Sequence, residues 1–182
     1  MKKNVLYYLA AIMVFCCIAS CEDEKDNHKE KWMITNIGEL NTIKMNPEYK
    51  ELHSPGNEGS IYYKVIKAGE GKDTIRYTNT ISCYFKGWFI ADYPEYSIKA
   101  GGLFDRQLFD DGPPVYYNVG ASGLIRGWKT ALQNMVVGDK WEIWVPYQLG
   151  YGRDDYKQSS SSFAIPGFST LVFELEVLKI LQ

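Results

Sequence analysis

In this chain of 182 amino acids, the residues best suited to form a binding or catalytic site are aromatic residues with hydrogen-bond donors beside them. Residues 124–128, Leu-Ile-Arg-Gly-Trp, combine a backbone N–H with a large indole at the start of an apolar-periodic segment. Tyr151 stands between two glycines in a predicted loop, where a role in binding is favoured over a place in the core. These residue types predict an apolar, aromatic binding site.

The sequence lacks the residues that other kinds of catalytic site require. The only histidines, His28 and His53, are near no cysteine or paired carboxylate, so a zinc or redox-metal site is not expected. No glycine-rich phosphate loop follows a strand, and no Gly-x-Ser-x-Gly motif is present. The acidic pairs at residues 110–111 and 154–155 lie in predicted loops and are typical of solvated turns. We therefore expect neither a metal nor a cofactor.

One helix is predicted to carry the indole. Apolar side chains recur from residue 124 to residue 135 at the spacing of a single buried stripe. They are Leu124, Ile125, Trp128, Ala131, Leu132 and Met135. Gly138 follows the stripe and suits a left-handed helix cap.

The segments around this helix have the patterns of strands. Residues 61–66 are rich in β-branched and aromatic side chains, and four later segments alternate apolar with polar residues. The apolar sets are Ile81, Cys83 and Phe85; Val115, Tyr117 and Val119; Trp141, Ile143 and Val145; and Leu171, Phe173, Leu175 and Val177. Strands on both sides of a single helix predict an α+β fold, in which an antiparallel β-sheet wraps around one short α-helix.

The N-terminus has the pattern of a bacterial lipoprotein signal. Lys2 and Lys3 precede a mostly apolar stretch that is too short to span a bilayer comfortably, and Ile-Ala-Ser-Cys at residues 18–21 resembles a lipobox. We expect residues 1–20 to be a signal peptide and Cys21 to carry the lipid that anchors the chain in a membrane. An ordinary secretory signal with an incidental cysteine is the alternative.

Residues 21–58 are predicted to be a lipidated tether and an N-terminal arm. Residues 22–31 form a dense charge run that indicates a solvated tether. Residues 32–52 are predicted to be a short helical or extended arm, because Pro47 interrupts any long helix. Loss of the signal lowers the net charge from −2 to −4, which argues against a nucleic-acid partner. Cys83 would then be the one remaining thiol, with a place in the core.

Residues 59–182 resemble FKBP-type peptidyl-prolyl cis/trans isomerases, the family that binds macrolide immunosuppressants. The likeness rests on an ordered series of motifs. These are Phe85-Lys86-Gly87, Phe104-Asp105, the run at residues 124–128, Gly138, Tyr151-Gly152, Ile165-Pro166 and residues 170–173. The resemblance implies an isomerase that assists the folding of exported proteins by binding the X–Pro bond in its aromatic pocket.

The resemblance also assigns roles to residues. It implies that Trp128 is the floor under the proline ring, that the Ile125 N–H and the Tyr151 hydroxyl bind substrate carbonyls, and that Asp105 lies at the pocket edge. With Phe173 these form the predicted catalytic set. The predicted substrate-binding walls are Phe85, Phe104, Val115, Leu124 and Ile165.

Two departures from the family pattern concern Asp105. Phe85 replaces the usual tyrosine, whose hydroxyl orients the aspartate, and the arginine that partners it has no match, with Arg106 a candidate substitute. The departures lower the expected catalytic rate and macrolide affinity. A non-catalytic, FKBP-like binding module of a surface lipoprotein is the alternative function. We expect proline-containing polypeptides as partners and a lipid-anchored place in the bacterial cell envelope, at the outer membrane.

Overall fold

The computed structural model describes residues 27–157 and 164–181, with two helices and seven strands in that part of the chain. The helices are α1 (residues 27–45) and α2 (Arg126–Leu132). The strands are β1 (Lys50–His53), β2 (Ser60–Lys67), β3 (Thr80–Phe89), β4 (Leu103–Gln107), β5 (Val115–Asn118), β6 (Lys140–Val145) and β7 (Leu171–Leu181). Short 3₁₀ turns occupy Pro94–Tyr96, Phe109–Asp111 and Tyr147–Leu149.

All strand pairs are antiparallel and form a single sheet. The order is β1-β2-β6-β7-β3-β4, and β5 also pairs with β3. The long strand β3 therefore pairs with β7 along one side, and with β5 and then β4 along the other. This arrangement brings β3, β4, β5 and β7 together around one end of the sheet.

The strands form where apolar side chains alternate, because every second side chain faces the core. Ile81, Cys83 and Phe85 of β3 are buried, and so are Trp141 and Ile143 of β6. The predicted α+β fold, with an antiparallel sheet and the short helix α2 packed on it, is confirmed. Helix α1 lies largely in the segment that was expected to be a helical or extended arm.

Helix α2 packs against the sheet at a glycine. A Cβ atom on Gly127 would lie 2.4 Å from Cγ1 of Val145 on β6, so only glycine allows this approach. The helix is shorter than the predicted stretch, because Ile125 has extended φ and ψ angles and residues after 132 turn away. Gly138 has a φ of 92° but lies in the turn before β6, so it does not cap α2, which is followed directly by Gln133 in the right-handed region.

Helix α1 includes residues 27–31 of the charge run, which are helical and largely exposed to solvent. Trp32 is buried, with its ring centroid 5.1 Å from that of Tyr93. Asn36 is also buried and accepts a hydrogen bond of 2.7 Å from the backbone N–H of Thr170, at the start of β7. Tertiary docking therefore stabilises a helix that charge pattern alone does not predict.

The arm continues into the sheet, because β1 before the predicted boundary at residues 58/59 pairs with β2 after it. That boundary stays a prediction. Residues 1–26, which include the predicted signal peptide and Cys21, lie outside the described residues. Neither helix of the described chain has the length and apolar character needed to cross a membrane.

Candidate active site

A cavity of about 150 Å³ opens between α2, the strands β3, β4, β5 and β7, and the loop after β6. Its lining is mostly aromatic. The lining residues are Phe85, Phe104, Asp105, Tyr117, Gly123, Leu124, Ile125, Trp128, Tyr151, Tyr156 and Phe173. A cavity of about this volume can hold a ring the size of benzene, so a five-membered proline ring fits.

The indole of Trp128 is held by three rings from the sheet. Its ring centroid lies 5.1 Å from that of Phe85, 5.5 Å from that of Tyr117 and 5.4 Å from that of Phe173, each close to perpendicular. Edge-to-face packing of this kind is the geometry that aromatic pairs prefer. The buried indole is therefore fixed by its neighbours before any ligand arrives.

A glycine in β3 makes room for two further rings of the cavity. A Cβ atom on Gly87 would lie 2.7 Å from Phe104 of β4 and 2.8 Å from Phe173 of β7. Because the side chain is missing, Phe104 and Phe173 can pack against each other at 5.5 Å across β3. The glycine of the Phe-Lys-Gly motif thus shapes the site through packing.

Several donors on the lining have no partner among the described residues, including the buried indole N–H of Trp128. The N–H of Ile125 stands just before α2, outside the hydrogen bonds of the helix. The Tyr151 hydroxyl makes no hydrogen bond with a described group, and its ring stacks on Tyr156 at 4.4 Å. Burial, with smaller contributions from Tyr156 and Asp105, raises the pKa of Tyr151 to about 12. The hydroxyl therefore remains a donor throughout the physiological range.

Asp105 carries the one formal charge among the described lining residues. Partial loss of water raises the pKa of its carboxyl group, and a hydrogen bond from the backbone N–H of Arg106 opposes the rise. The guanidinium of Arg106 pairs instead with Asp111, 2.9 Å away, so Arg106 is not the substitute partner that the sequence suggested. Burial, and to a smaller extent the charge of Asp105, raises the pKa of Tyr117 to about 12. The Tyr117 hydroxyl therefore lies close enough to the Asp105 carboxylate to be affected by its charge.

Comparison with known proteins agrees with this geometry. The sequence profile of the family described as FKBP-type peptidyl-prolyl cis-trans isomerase matches residues 71–178, more than half of the chain. The chain belongs to the FKBP-type peptidyl-prolyl cis-trans isomerase family. The expected family is thereby confirmed.

Individual FKBP-type proteins are similar over most of the described chain. The FKBP-type 22 kDa peptidyl-prolyl cis-trans isomerase of Escherichia coli (strain K12) is 36% identical over 124 residues, which are 68% of this chain and 52% of that protein. The FK506-binding protein of Neisseria meningitidis serogroup A is 27% identical over 68% of this chain and 99% of its own length. The chain thus spans about half the length of the E. coli relative and nearly all of the Neisseria one.

A solved structure supports the fold as well. The crystal structure of a peptidyl-prolyl cis-trans isomerase from Pseudomonas syringae pv. tomato superposes with a TM-score of 0.62 at 25% identity. The superposition covers 84% of this chain and 96% of that one.

Within this FKBP domain, eight of the ten predicted pocket residues line the same cavity. They are Phe85, Phe104, Asp105, Leu124, Ile125, Trp128, Tyr151 and Phe173. Val115 and Ile165 are not in the lining: Val115 is half-buried on β5 opposite Cys83, and Ile165 is buried and pairs with Tyr156. The catalytic and binding roles assigned to these residues stay predictions.

Sequence reasoning missed three lining residues. Tyr117 could have been found, because it alternates with Val115 and Val119 on the inward face of β5. Gly123 and Tyr156 gave no periodic signal, since each lies in a loop. Tyr156 reaches the cavity through its backbone pairing with Ile165, with hydrogen bonds of 2.8 Å in both directions.

No cluster of metal-binding side chains occurs in residues 27–157 and 164–181. Cys83 is buried in β3, and burial raises the pKa of its thiol to about 12, so the reactive thiolate is strongly disfavoured. The lining thus offers aromatic surface, several hydrogen-bond donors, among them the Ile125 N–H and the Tyr151 hydroxyl, and one carboxylate.

Proposed function

We propose that this chain is a peptidyl-prolyl cis-trans isomerase that acts on proline-containing polypeptides. The proposal rests on one observation: an open aromatic cavity has Trp128 at its base and two unengaged donors, on Ile125 and Tyr151, along its lining. The names of the relatives point to the same activity. A pocket of this kind can bind a proline ring while the peptide bond before it turns.

The chemistry needs no bond to break. Rotation about a peptide bond meets a barrier of roughly 18–20 kcal/mol, and an X–Pro bond takes on the order of 10–100 s to isomerise unaided. The planar amide places negative charge on its oxygen through resonance, and twisting removes that resonance. A water-poor aromatic cavity therefore disfavours the planar form relative to the twisted one, which is preferential binding of the transition state.

The two donors would fix the chain on either side of the rotating bond. The Ile125 N–H belongs to a backbone held by the start of α2, and the Tyr151 ring is held by its stack on Tyr156. Rigid positions allow hydrogen bonds to substrate carbonyls without further ordering of the protein. Only the prolyl bond would then be left free to turn.

A protease-coupled assay on a short Leu-Pro peptide tests this function, with the wild-type chain compared with Trp128→Ala. We expect the wild type to accelerate the slow cis-to-trans phase and Trp128→Ala to lose most of that acceleration. Acceleration that survives Trp128→Ala in a folded variant would contradict the pocket mechanism. Peptide binding without acceleration would instead support the non-catalytic binding module, which the comparisons do not favour.

We further propose that the chain assists folding of exported proteins while attached through lipidated Cys21 to the bacterial cell envelope, at the outer membrane. The lipobox-like residues 18–21 support the anchor. Expression in a bacterium fed a labelled fatty acid tests it: the chain should take up label and sediment with membranes, and Cys21→Ser should do neither. Label that remains on Cys21→Ser would contradict this anchor.

A further inference from the structure

Asp105 places a carboxylate in the cavity, and no cationic side chain of the described residues is paired with it. Asp105 is the only charged residue among the eleven described residues that line it, and no lysine or arginine of the described chain forms an ion pair with it. On the neighbouring strand β3 its partner in register is Gly87, which brings no side chain. The side chain of Asp105 is solvent-exposed at the cavity, so an arriving group can reach it.

The cations that are close along the chain are already engaged. Arg106 pairs with Asp111 at 2.9 Å. Arg126, beside Ile125, pairs with Glu58 and donates a hydrogen bond of 2.7 Å to the carbonyl of Gln148. The charge of Asp105 is therefore not neutralised from within the described protein.

The rings beside this carboxylate favour a positive charge. Tyr117 and Tyr151 are close enough for the charge of Asp105 to raise the pKa of each hydroxyl, as a contribution that is smaller than burial. Tyr156 stacks on Tyr151 and extends the aromatic surface outwards, with 42% of its area exposed. Aromatic faces attract cations through their quadrupole, and a partly desolvated carboxylate is stabilised when a cation binds to it.

We propose that the cavity prefers substrates with lysine or arginine next to the proline, and that Asp105 accepts the cationic side chain. The inference rests on the proposed function, because it names the substrate class of the same site. The proline ring would lie on the Trp128 floor, and the ammonium or guanidinium group would pair with Asp105 between the rings of Tyr117 and Tyr151. The remaining surface of Tyr156 would cover the stem of the long side chain.

The test measures isomerisation of peptides by exchange NMR, without a protease. Acetylated and amidated peptides Ala-Xaa-Pro-Phe and Ala-Ala-Pro-Xaa are compared, with lysine, arginine, norleucine and glutamate at Xaa. We expect kcat/KM for lysine or arginine to exceed that for norleucine about fivefold in one series, with glutamate slowest. The ratio should fall to about one in Asp105→Asn and remain in Asp105→Glu.

Norleucine turnover within each variant is the internal reference, so a general change in activity does not alter the ratio. Asp110→Asn removes a neighbouring exposed carboxylate that does not line the cavity, and should keep the preference. Equal rates for lysine and norleucine in both series, or a preference that survives Asp105→Asn, would overturn this inference and leave the isomerase intact. If no peptide is accelerated, the proposed function itself fails.

Discussion

Tyr151 is the residue whose role can be isolated most cleanly, because its hydroxyl is the only part that phenylalanine lacks. The ring stack on Tyr156 should survive that change, and no described group loses a hydrogen bond. A difference in activity can then be assigned to a bond made with the substrate. Since burial raises the pKa of Tyr151 to about 12, the hydroxyl should still donate at a pH at which an exposed tyrosine is ionised.

We therefore expect Tyr151→Phe to lower kcat/KM roughly two- to tenfold, the factor that one hydrogen bond supplies. The ratio of wild type to variant should be the same at pH 7.5 and pH 10.5 in a protease-free assay. Tyr116→Phe, on the outward face of β5, is the matched control and should have no effect. A ratio that collapses near pH 10 would mean that this hydroxyl titrates normally and that its assigned environment is wrong.

At the scale of residues, the sequence predicted those lining residues that belong to a family motif and also lie on the buried face of a periodic strand or helix. Phe85 and Phe173 lie on strands whose period places them inward, and Trp128 lies on a helical stripe. Ile165, predicted as a wall, is buried outside the lining, whereas Tyr156, its bridge partner, lies in the lining. Loop residues such as Tyr156 have no period from which their direction can be inferred.

Among the elements, α2 depends on how closely it approaches β6. A methyl group at Gly127 would overlap Val145, and neither the helix nor the strand can move without disturbing Trp128 beside it. Gly127→Ala should therefore lower the free energy of unfolding by about 1–3 kcal/mol in urea denaturation. Adding Val145→Ala should recover part of that loss, because the two side chains share the same space.

Gly38 supplies the control, since it lies in α1 and a Cβ atom there meets no atom within 4 Å. Gly38→Ala should raise stability by up to about 1 kcal/mol, as alanine does in an open helix position. Equal effects of the two substitutions would show that helix propensity, and not packing on β6, determines the role of Gly127.

The three central strands are also linked by charge. Glu174 of β7 lies between Lys140 of β6, at 2.5 Å, and Lys86 of β3, at 3.1 Å. Burial acts to raise the pKa of Glu174, but hydrogen bonds and charge from the two lysines outweigh it and hold the pKa below its usual value. Ionised Glu174 therefore stabilises the fold above the pKa of the unfolded state, and the contribution is lost as pH falls through the lower folded pKa.

We expect Glu174→Gln to cost roughly 1–2 kcal/mol of unfolding free energy at pH 7 and progressively less towards pH 3. Glu176→Gln is the matched control, because its pair with exposed Lys67 is longer, at 3.7 Å, and should contribute under about 0.5 kcal/mol. Urea melts across that pH range measure both. A cost for Glu174→Gln that does not change with pH would contradict the ionic link.

At the scale of the whole molecule, α1 is fastened to the sheet through Asn36. Its side chain accepts the N–H of Thr170 at 2.7 Å and donates to the carbonyl of Trp32 at 2.9 Å, all in a buried setting. Asn36→Ala should leave the Thr170 donor unpaired and cost about 1–3 kcal/mol in thermal or urea unfolding. Exposed Asn41→Ala on the same helix should change little, and an equal loss from both would imply that α1 is not docked as described.

The strands and α2 could be predicted because their patterns are local, whereas the docking of α1 is not. The charge run at residues 27–31 carries no apolar period. The partner of Trp32 is Tyr93, in the loop after β3, and that of Asn36 is Thr170, directly before β7. Asn36 and Thr170 are more than one hundred residues apart in the chain, so no local sequence pattern predicts their contact. The antiparallel sheet was predictable, and the arm was expected to be helical or extended, but the contacts that hold α1 on the sheet were not predictable.

The account depends most on the position of the proline ring during turnover. Intermolecular nuclear Overhauser effects between a labelled Xaa-Pro peptide and the protein would measure that position directly. We predict strong effects between the proline ring protons and the indole protons of Trp128, with further effects to Phe85 and Phe173. A peptide that binds with its proline against other residues, and shows no effect to Trp128, would contradict the proposed site.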